Sequence, residues 1–192
     1  MASWRPATLL DLATGSGDLA LAIERASPLT EVTGADFCEP MLQRAREKGL
    51  RRTILADAMH LPFPDSSFDA VSIGFGLRNM ESWPGALREI HRVLNPGGRL
   101  LVLDFSLPPP PLRGPYRFYL HHILPLIAGL VTREKAAYQY LGASIERFPA
   151  GPAMLALMAE CGFTSAVCRP MSGAIVTLYT AAKPEQAART SS

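Results

Sequence analysis

The chain has 192 residues, of which 48% are hydrophobic and 19% charged, with a formal net charge of +2. That length and apolar content suit one well-buried domain, and the near balance of charge gives no electrostatic case for a nucleic-acid partner. Cys38, Cys161 and Cys168 stand in no metal-ligand spacing, MASWRPATLL lacks the pattern of a signal peptide, and no run reaches the ~18 apolar residues that span a bilayer, so we expect a cytoplasmic protein with neither disulfide framework nor metal.

Thr8 to Leu12 is an apolar run that leads into the glycine-rich turn of DLATGSGDLA. Asp18 to Ala26 has helical apolar spacing, and Glu31 to Asp36 reads as a second strand ending in an acid. Together they predict a βαβ unit. Pro40 to Lys48 is the next amphipathic helix, Arg52 to Ala56 a third short strand, and Ala70 to Gly74 a fourth, entered from the turn PFPDSSFD. The helical stretch Trp83 to Leu94 stops at Asn95-Pro96-Gly97-Gly98, a breaker cluster that launches a fifth strand over Arg99 to Phe105. Strands alternating with helices predict an α/β fold with a mostly parallel sheet covered on both faces.

The rhythm then breaks. The proline-dense Ser106 to Pro115 reads as a stiff connection, Tyr116 to Val131 is strongly apolar, and Arg133 to Ile145 is a polar helical piece. Pro152 to Cys161 is a helix closed by Gly162, and Thr164 to Cys168 and Ala174 to Ala181 are two last strands suited to antiparallel pairing. We expect one domain over residues 1–184, with 106–150 as a linker and helical insertion, and a polar tail over 185–192.

In an open α/β sheet the ligand crevice lies at the carboxyl ends of the strands, and the first βα turn forms one wall. Gly15 and Gly17 suit a tight turn with close backbone approach, and Asp36, about 20 residues further on, ends the second strand where an acid can accept both hydroxyls of a ribose. This spacing fits two classes of site, a mononucleoside cofactor and a dinucleotide. Asp57, just past the third strand, is placed either to accept from an adenine amino group or to be a solvated turn residue, and Ala58 offers its backbone NH to a ring nitrogen. Asp69, entering strand four, and the later Asn95-Pro96-Gly97-Gly98 make the pattern more specific.

LLDLATGSGDLA, GADFCEPML, ADAMHLPFPDSSFDAVSIGFGLRNM and LREIHRVLNPGGRLLVLDFSLP resemble successive motifs of class I S-adenosylmethionine-dependent methyltransferases, whose fold is Rossmann-like with a seven-stranded sheet. More narrowly, FGLRNM, LNPGGRLLVLDFS, YRFYLHHILPLIAGLV and YQYLGASIERFP resemble the ubiquinone/menaquinone biosynthesis C-methyltransferase family, from Trp4 to about Lys183. The resemblance implies S-adenosyl-L-methionine as cofactor, held by Ser16, Asp36, Asp57 with Ala58, and Gly74. It implies that Asp11, Gly15 and Gly17 shape the methionine end of the pocket; for Asp11 the alternative is an acid that only holds the turn. It implies a polyprenyl quinol as acceptor, most directly demethylmenaquinol, and places Arg78 and Asn79 where acceptor meets cofactor.

Arginine stays protonated, so Arg78 is expected to stabilise a quinolate oxygen or position a water, or else to form a structural salt bridge; His60, His122, Tyr116 and Tyr138 are further candidates for proton handling or for packing. Ile123, Leu124, Leu126, Ile127, Leu130 and Val131 are expected either to pack a helix pair or to meet a polyprenyl tail and the inner face of the membrane. A homodimer is compatible with the sequence. Three departures from the family stand out. Gly74 replaces a usual serine, and Ala143 replaces a common glutamate. Trp4-Arg5 already matches the segment just ahead of the first strand, so either the start is truncated or the helices that cover the site are absent, which would open the pocket to water. Other readings are methylation of another small aromatic or lipid acceptor, a catalytically weak cofactor-binding interaction subunit, and a nicotinamide oxidoreductase, the last disfavoured by Asn95-Pro96-Gly97-Gly98 and GLRN.

Overall fold

The structure is a computed structural model and describes residues 4–123 and 135–185. A seven-stranded sheet has the order β3-β2-β1-β4-β5-β7-β6. Its strands are β1 Thr8–Leu12, β2 Glu31–Asp36, β3 Thr53–Leu55, β4 Phe68–Gly74, β5 Leu94–Phe105, β6 Thr164–Met171 and β7 Val176–Ala182. The first five pair in parallel, and β7 runs antiparallel between β5 and β6. The expected mostly parallel sheet with an antiparallel final pair is therefore present.

The central strands are buried on both faces, which is why they read as apolar runs rather than as alternation. Successive side chains still point opposite ways. Leu9 and Ala70 meet helices α1, Asp18–Ala26, and α2, Glu39–Glu47, through Ala20 and Ala45. Leu10 and Val71 turn to the other face, against α3, Trp83–Val93, and α6, Pro152–Glu160, through Leu87, Ile90, Met154 and Met158. Leu10 is fully buried, so Leu10→Ala would cost about 2–5 kcal/mol.

Helix α3 starts where Ser82 Oγ accepts from the Gly85 amide at 3.1 Å, with Pro84 in its first turn. Its apolar residues recur at helical spacing and bury one face completely at Ala86, Leu87, Ile90 and Val93. The strand that follows is longer than its sequence suggests. β5 begins at Leu94, opposite Phe68, and Asn95 to Gly98 form a bulge before regular pairing resumes at Arg99 opposite Ala70. Asp69 pins that bulge, accepting from Asn95 Nδ2 at 2.8 Å and from the Ala7 and Thr8 amides.

After β5 the connection is shorter than expected, because helix α4, Arg113–Phe118, begins within the proline-dense stretch. It continues as a π-helical turn, Tyr119–Ile123, and helix α5 covers Lys135–Arg147. Arg117 Nε and His121 Nε2 both reach Glu146 on α5, at 2.6 and 3.0 Å, tying these pieces together. Leu124, Leu126, Ile127, Leu130 and Val131 lie outside the described residues, as do the side chains of His122 and Tyr138. Among the described residues no helix is long and apolar enough to cross a membrane.

Candidate functional site

β1 and β4 lie side by side, but the chain leaves them for opposite halves of the sheet, so the crevice of the fold opens at their carboxyl ends. A cavity of about 770 Å³ occupies that position, within the ~300–1,000 Å³ typical of small-molecule sites. The strand ends bring together Gly15, Asp36, Asp57, Ala58, Gly74 and Asn79 in its lining, and leave Asp11, Ser16, Gly17 and Arg78 outside it. Its ionisable carboxylates are Asp36, Asp57 and Glu81, and among the described residues no Lys, Arg or His lines it.

The glycine turn is built from below. Asp11 is buried under it and accepts from Thr14 Oγ1 and, across the sheet, from Ser72 Oγ, both at 2.6 Å. Burial pushes the Asp11 carboxyl above the ordinary carboxylate range despite those hydrogen bonds. Asp36 holds the turn from the side. Its Oδ2 accepts from the Gly15 amide at 2.8 Å and its Oδ1 from the Cys38 amide at 2.9 Å, while the residue remains part of the cavity wall. Gly17 caps α1 in the left-handed region at φ 79, and a Cβ there would lie 2.9 Å from Ala45 Cβ. Gly17 is thus required by turn and packing. Ser16 faces outward, where Lys48 Nζ donates to its Oγ at 2.9 Å and to Asp18 at 2.8 Å.

On the opposite wall Asp57 is half-exposed, accepting from the Met59 amide at 2.9 Å, with His60 Nδ1 at 3.4 Å. The Met59 amide, with a further contribution from His60, holds the Asp57 carboxyl below its usual range, which keeps an acceptor available at the cavity edge. The floor is strained. Ala13 and Phe75 take left-handed backbone at φ 54 and 58, and a Cβ on Gly76 would fall 2.5 Å from Ala13 Cβ.

Arg78 and Asn79 part company. Asn79 lines the cavity. Arg78 turns away into an ion pair with Asp104, Nη1 to Oδ1 at 2.7 Å, its side chain 10% exposed and that of Asp104 0%. Nη1 also donates to the Phe75 carbonyl, the Arg78 amide donates to Asp104 Oδ2 at 3.2 Å, and the guanidinium lies over the Phe105 ring at 5.1 Å. Asp104 and Phe75 had not been singled out from sequence. The signal for Asp104 was a lone acid inside the apolar run LLVLDF; Phe75 carried none.

The ubiE/COQ5 methyltransferase family matches residues 1–183. The chain belongs to that family. Among curated relatives, it is 51% identical over 168 residues to the demethylmenaquinone methyltransferase of Thermus thermophilus, covering 83% of this chain and 75% of that protein. It is 48% identical over 177 residues to the ubiquinone/menaquinone biosynthesis C-methyltransferase of Syntrophotalea carbinolica, covering 89% and 74%. The fold is shared with a crystal structure of a SAM-dependent methyltransferase from Thermotoga maritima, with a TM-score of 0.66 and 19% identity over 92% of this chain and 82% of that one.

Of the remaining candidates, His60 is strongly exposed beside Asp57, and Tyr116 packs against Tyr119 with ring centroids 6.4 Å apart. Burial raises the Tyr116 hydroxyl above its ordinary value.

Proposed function

We propose that the protein transfers a methyl group from S-adenosylmethionine to a ring carbon of a polyprenyl quinol, demethylmenaquinol in the first instance. The observation that carries this reading is the family match over residues 1–183. The cavity accords with it. Among the described residues the lining carries carboxylates and no cationic side chain, which suits a sulfonium ligand with hydroxyl and amino donors. The family match argues against the nicotinamide oxidoreductase.

In this reading Asp36 keeps free lone pairs for the ribose hydroxyls beside its two backbone bonds, since a carboxylate offers about four acceptor sites. Asp57 and the Ala58 amide serve the adenine edge, and Gly74 contributes backbone groups alone. Met41, Met59 and Met80 supply polarisable flanks for the base. Gly15 holds the amino-acid end, while Asp11, Ser16 and Gly17 support the turn without reaching the cavity. When bound, the cofactor supplies a methyl group activated by its sulfonium charge.

The protein's own part is alignment of acceptor and methyl group. The acceptor must be in the reduced form, because its hydroxyl oxygens push electron density onto the ring carbon whereas the oxidised quinone is electrophilic. Asn79 presents its amide to the acceptor side of the cavity, and Arg78, locked to Asp104 and Phe75, is a positioning residue for that turn. Residues up to 184 form the single catalytic domain; none of the described residues of the segment 106–150 lines the cavity. The exposed Leu112 and Ile123 of that segment support contact with the membrane surface that stores the quinone.

The test is incubation with S-adenosylmethionine and a chemically reduced demethylmenaquinol analogue, read by mass spectrometry. The expected product carries one added methyl group. Preferential binding of NAD in calorimetry, or tight cofactor binding with no methylated product, overturns the reading.

A further inference from the structure

The three carboxylates that line the cavity are not equivalent. Asp36 is engaged by the Gly15 and Cys38 amides, and Asp57 by the Met59 amide and His60. Glu81 has no hydrogen bond or ion pair among the described residues, yet it lines the same cavity. Its backbone is fixed on both sides. Just before it the Met80 amide donates to the Leu77 carbonyl at 3.1 Å, closing a 3-10 turn, and just after it Ser82 caps α3. Glu81 is therefore held at the cavity mouth by the fold while its charge is left free to act on whatever enters.

We propose that Glu81 adds to the charge selectivity of the cavity, making a cationic ligand bind more tightly than its neutral counterpart. The inference rests on the cofactor reading above and adds the direction of exchange to it. Methyl transfer breaks a sulfur–methyl bond, forms a carbon–carbon bond and returns the bonding pair to sulfur, and the proton displaced from the ring leaves to solvent. The bound ligand thereby loses one positive charge. A free carboxylate at the mouth attracts the incoming sulfonium compound and loses most of that attraction for the thioether product. Selectivity of this kind favours product release and replacement by fresh cofactor.

A unit charge acting across several ångströms of largely aqueous medium is worth about threefold in affinity at low salt, and less at ~0.5 M salt where screening is short-ranged. Titration calorimetry of the wild type, Glu81→Gln and Glu81→Asp uses three probes: S-adenosylmethionine, its cationic amine analogue sinefungin, and S-adenosylhomocysteine. Glu81→Gln is expected to weaken the two cationic probes about threefold and to leave S-adenosylhomocysteine unchanged, with Glu81→Asp restoring most of the difference. The salt dependence of the affinity ratio should shrink in Glu81→Gln. Equal weakening of all three probes, or no change in any, overturns the role given to Glu81 while leaving the cofactor reading intact. Failure of the wild type to bind any of the three overturns both.

Discussion

Asp36→Asn separates the bracing of the turn, which Asp36 performs in the structure, from the ribose contact proposed for it. The substitution preserves shape, so no cavity term enters. In the folded protein Oδ2 accepts from Gly15 and Oδ1 from Cys38, but an amide has only one oxygen, so one of those N–H groups must face an NH2 donor. One charge-assisted bond, worth about 1.5–3 kcal/mol, is lost and its donor left unsatisfied in a site where Asp36 is 7% exposed. The other bond survives as a neutral one of about 1 kcal/mol. The sum is a destabilisation of about 2–4 kcal/mol, which in a domain of this size lowers the melting temperature by roughly 6–12 °C. Cofactor affinity should fall about tenfold or more, measured by calorimetry with S-adenosylhomocysteine well below the variant's melting point. A melting temperature within about 2 °C of wild type would refute the bracing of the turn. An unchanged dissociation constant in the folded variant would refute the ligand contact.

Three further outcomes follow from the same geometry. Gly17→Ala should destabilise by about 2–3 kcal/mol, because it combines a left-handed alanine with a 2.9 Å contact to Ala45. Gly15→Ala, whose Cβ would sit 3.6 Å from Met41 Cε, should cost only about 1–2 kcal/mol; equal losses in urea titrations would contradict the packing role of Gly17. Arg78→Gln strands the buried Asp104 carboxylate and should cost about 3–5 kcal/mol, whereas adding Asp104→Asn should recover most of it. A double variant no more stable than the single one would count against the pair. Burial, then the charge of Lys183, hold the His91 imidazole below its ordinary value of 6.5. Just below that value the unfolded chain binds more protons than the folded one, so stability is present above pH 6.5 and is lost as pH falls through it toward the folded-state value. His91→Gln should flatten that limb of a melting-temperature series between about pH 7 and 5; an unaltered slope would assign the loss elsewhere.

The opening βαβ unit was legible to the residue: Thr8–Leu12, Asp18–Ala26 and Glu31–Asp36 stand where period and punctuation put them. Local signals sufficed there, since apolar runs, a glycine turn and a terminal acid are all sequence-near. β5 was harder because Asn95 to Gly98 look like a break. Leu94's pairing with Phe68, the clamp by Asp69 and the backbone bonds of Gly97 and Gly98 to Lys183, all distant in sequence, keep them in the sheet as a bulge. The cavity wall was legible at Asp36, Asp57 and Gly74, which end or follow strands. The division of labour was not. Ser16 is drawn to the surface by Lys48 and Arg78 is drawn inward by Asp104, and neither partner can be chosen from sequence spacing. Asp36 looked like a ligand contact alone because its other partners are backbone amides, which leave no trace in residue identity.

The floor of the crevice is strained backbone held by its neighbours. Left-handed backbone at a non-glycine residue costs about 1–2 kcal/mol; besides Ser66, Ser165, Ser172 and Ala174, the described residues have it at Ala13 and Phe75, at the adjacent ends of β1 and β4. Their surroundings hold them there. The Phe75 amide donates to the Leu103 carbonyl at 2.7 Å, its own carbonyl accepts from Arg78, and its ring packs on Phe105 with centroids 4.7 Å apart. The Thr14 amide, next to Ala13, donates to the Ala35 carbonyl at 3.0 Å. Gly76 then lets the two strand ends approach more closely than any side chain at that position would permit. The buried Arg78–Asp104 pair acquires its purpose in this setting. It does not line the cavity, but it holds the Phe75 carbonyl turned toward Arg78, and so braces the strained backbone at the cavity floor.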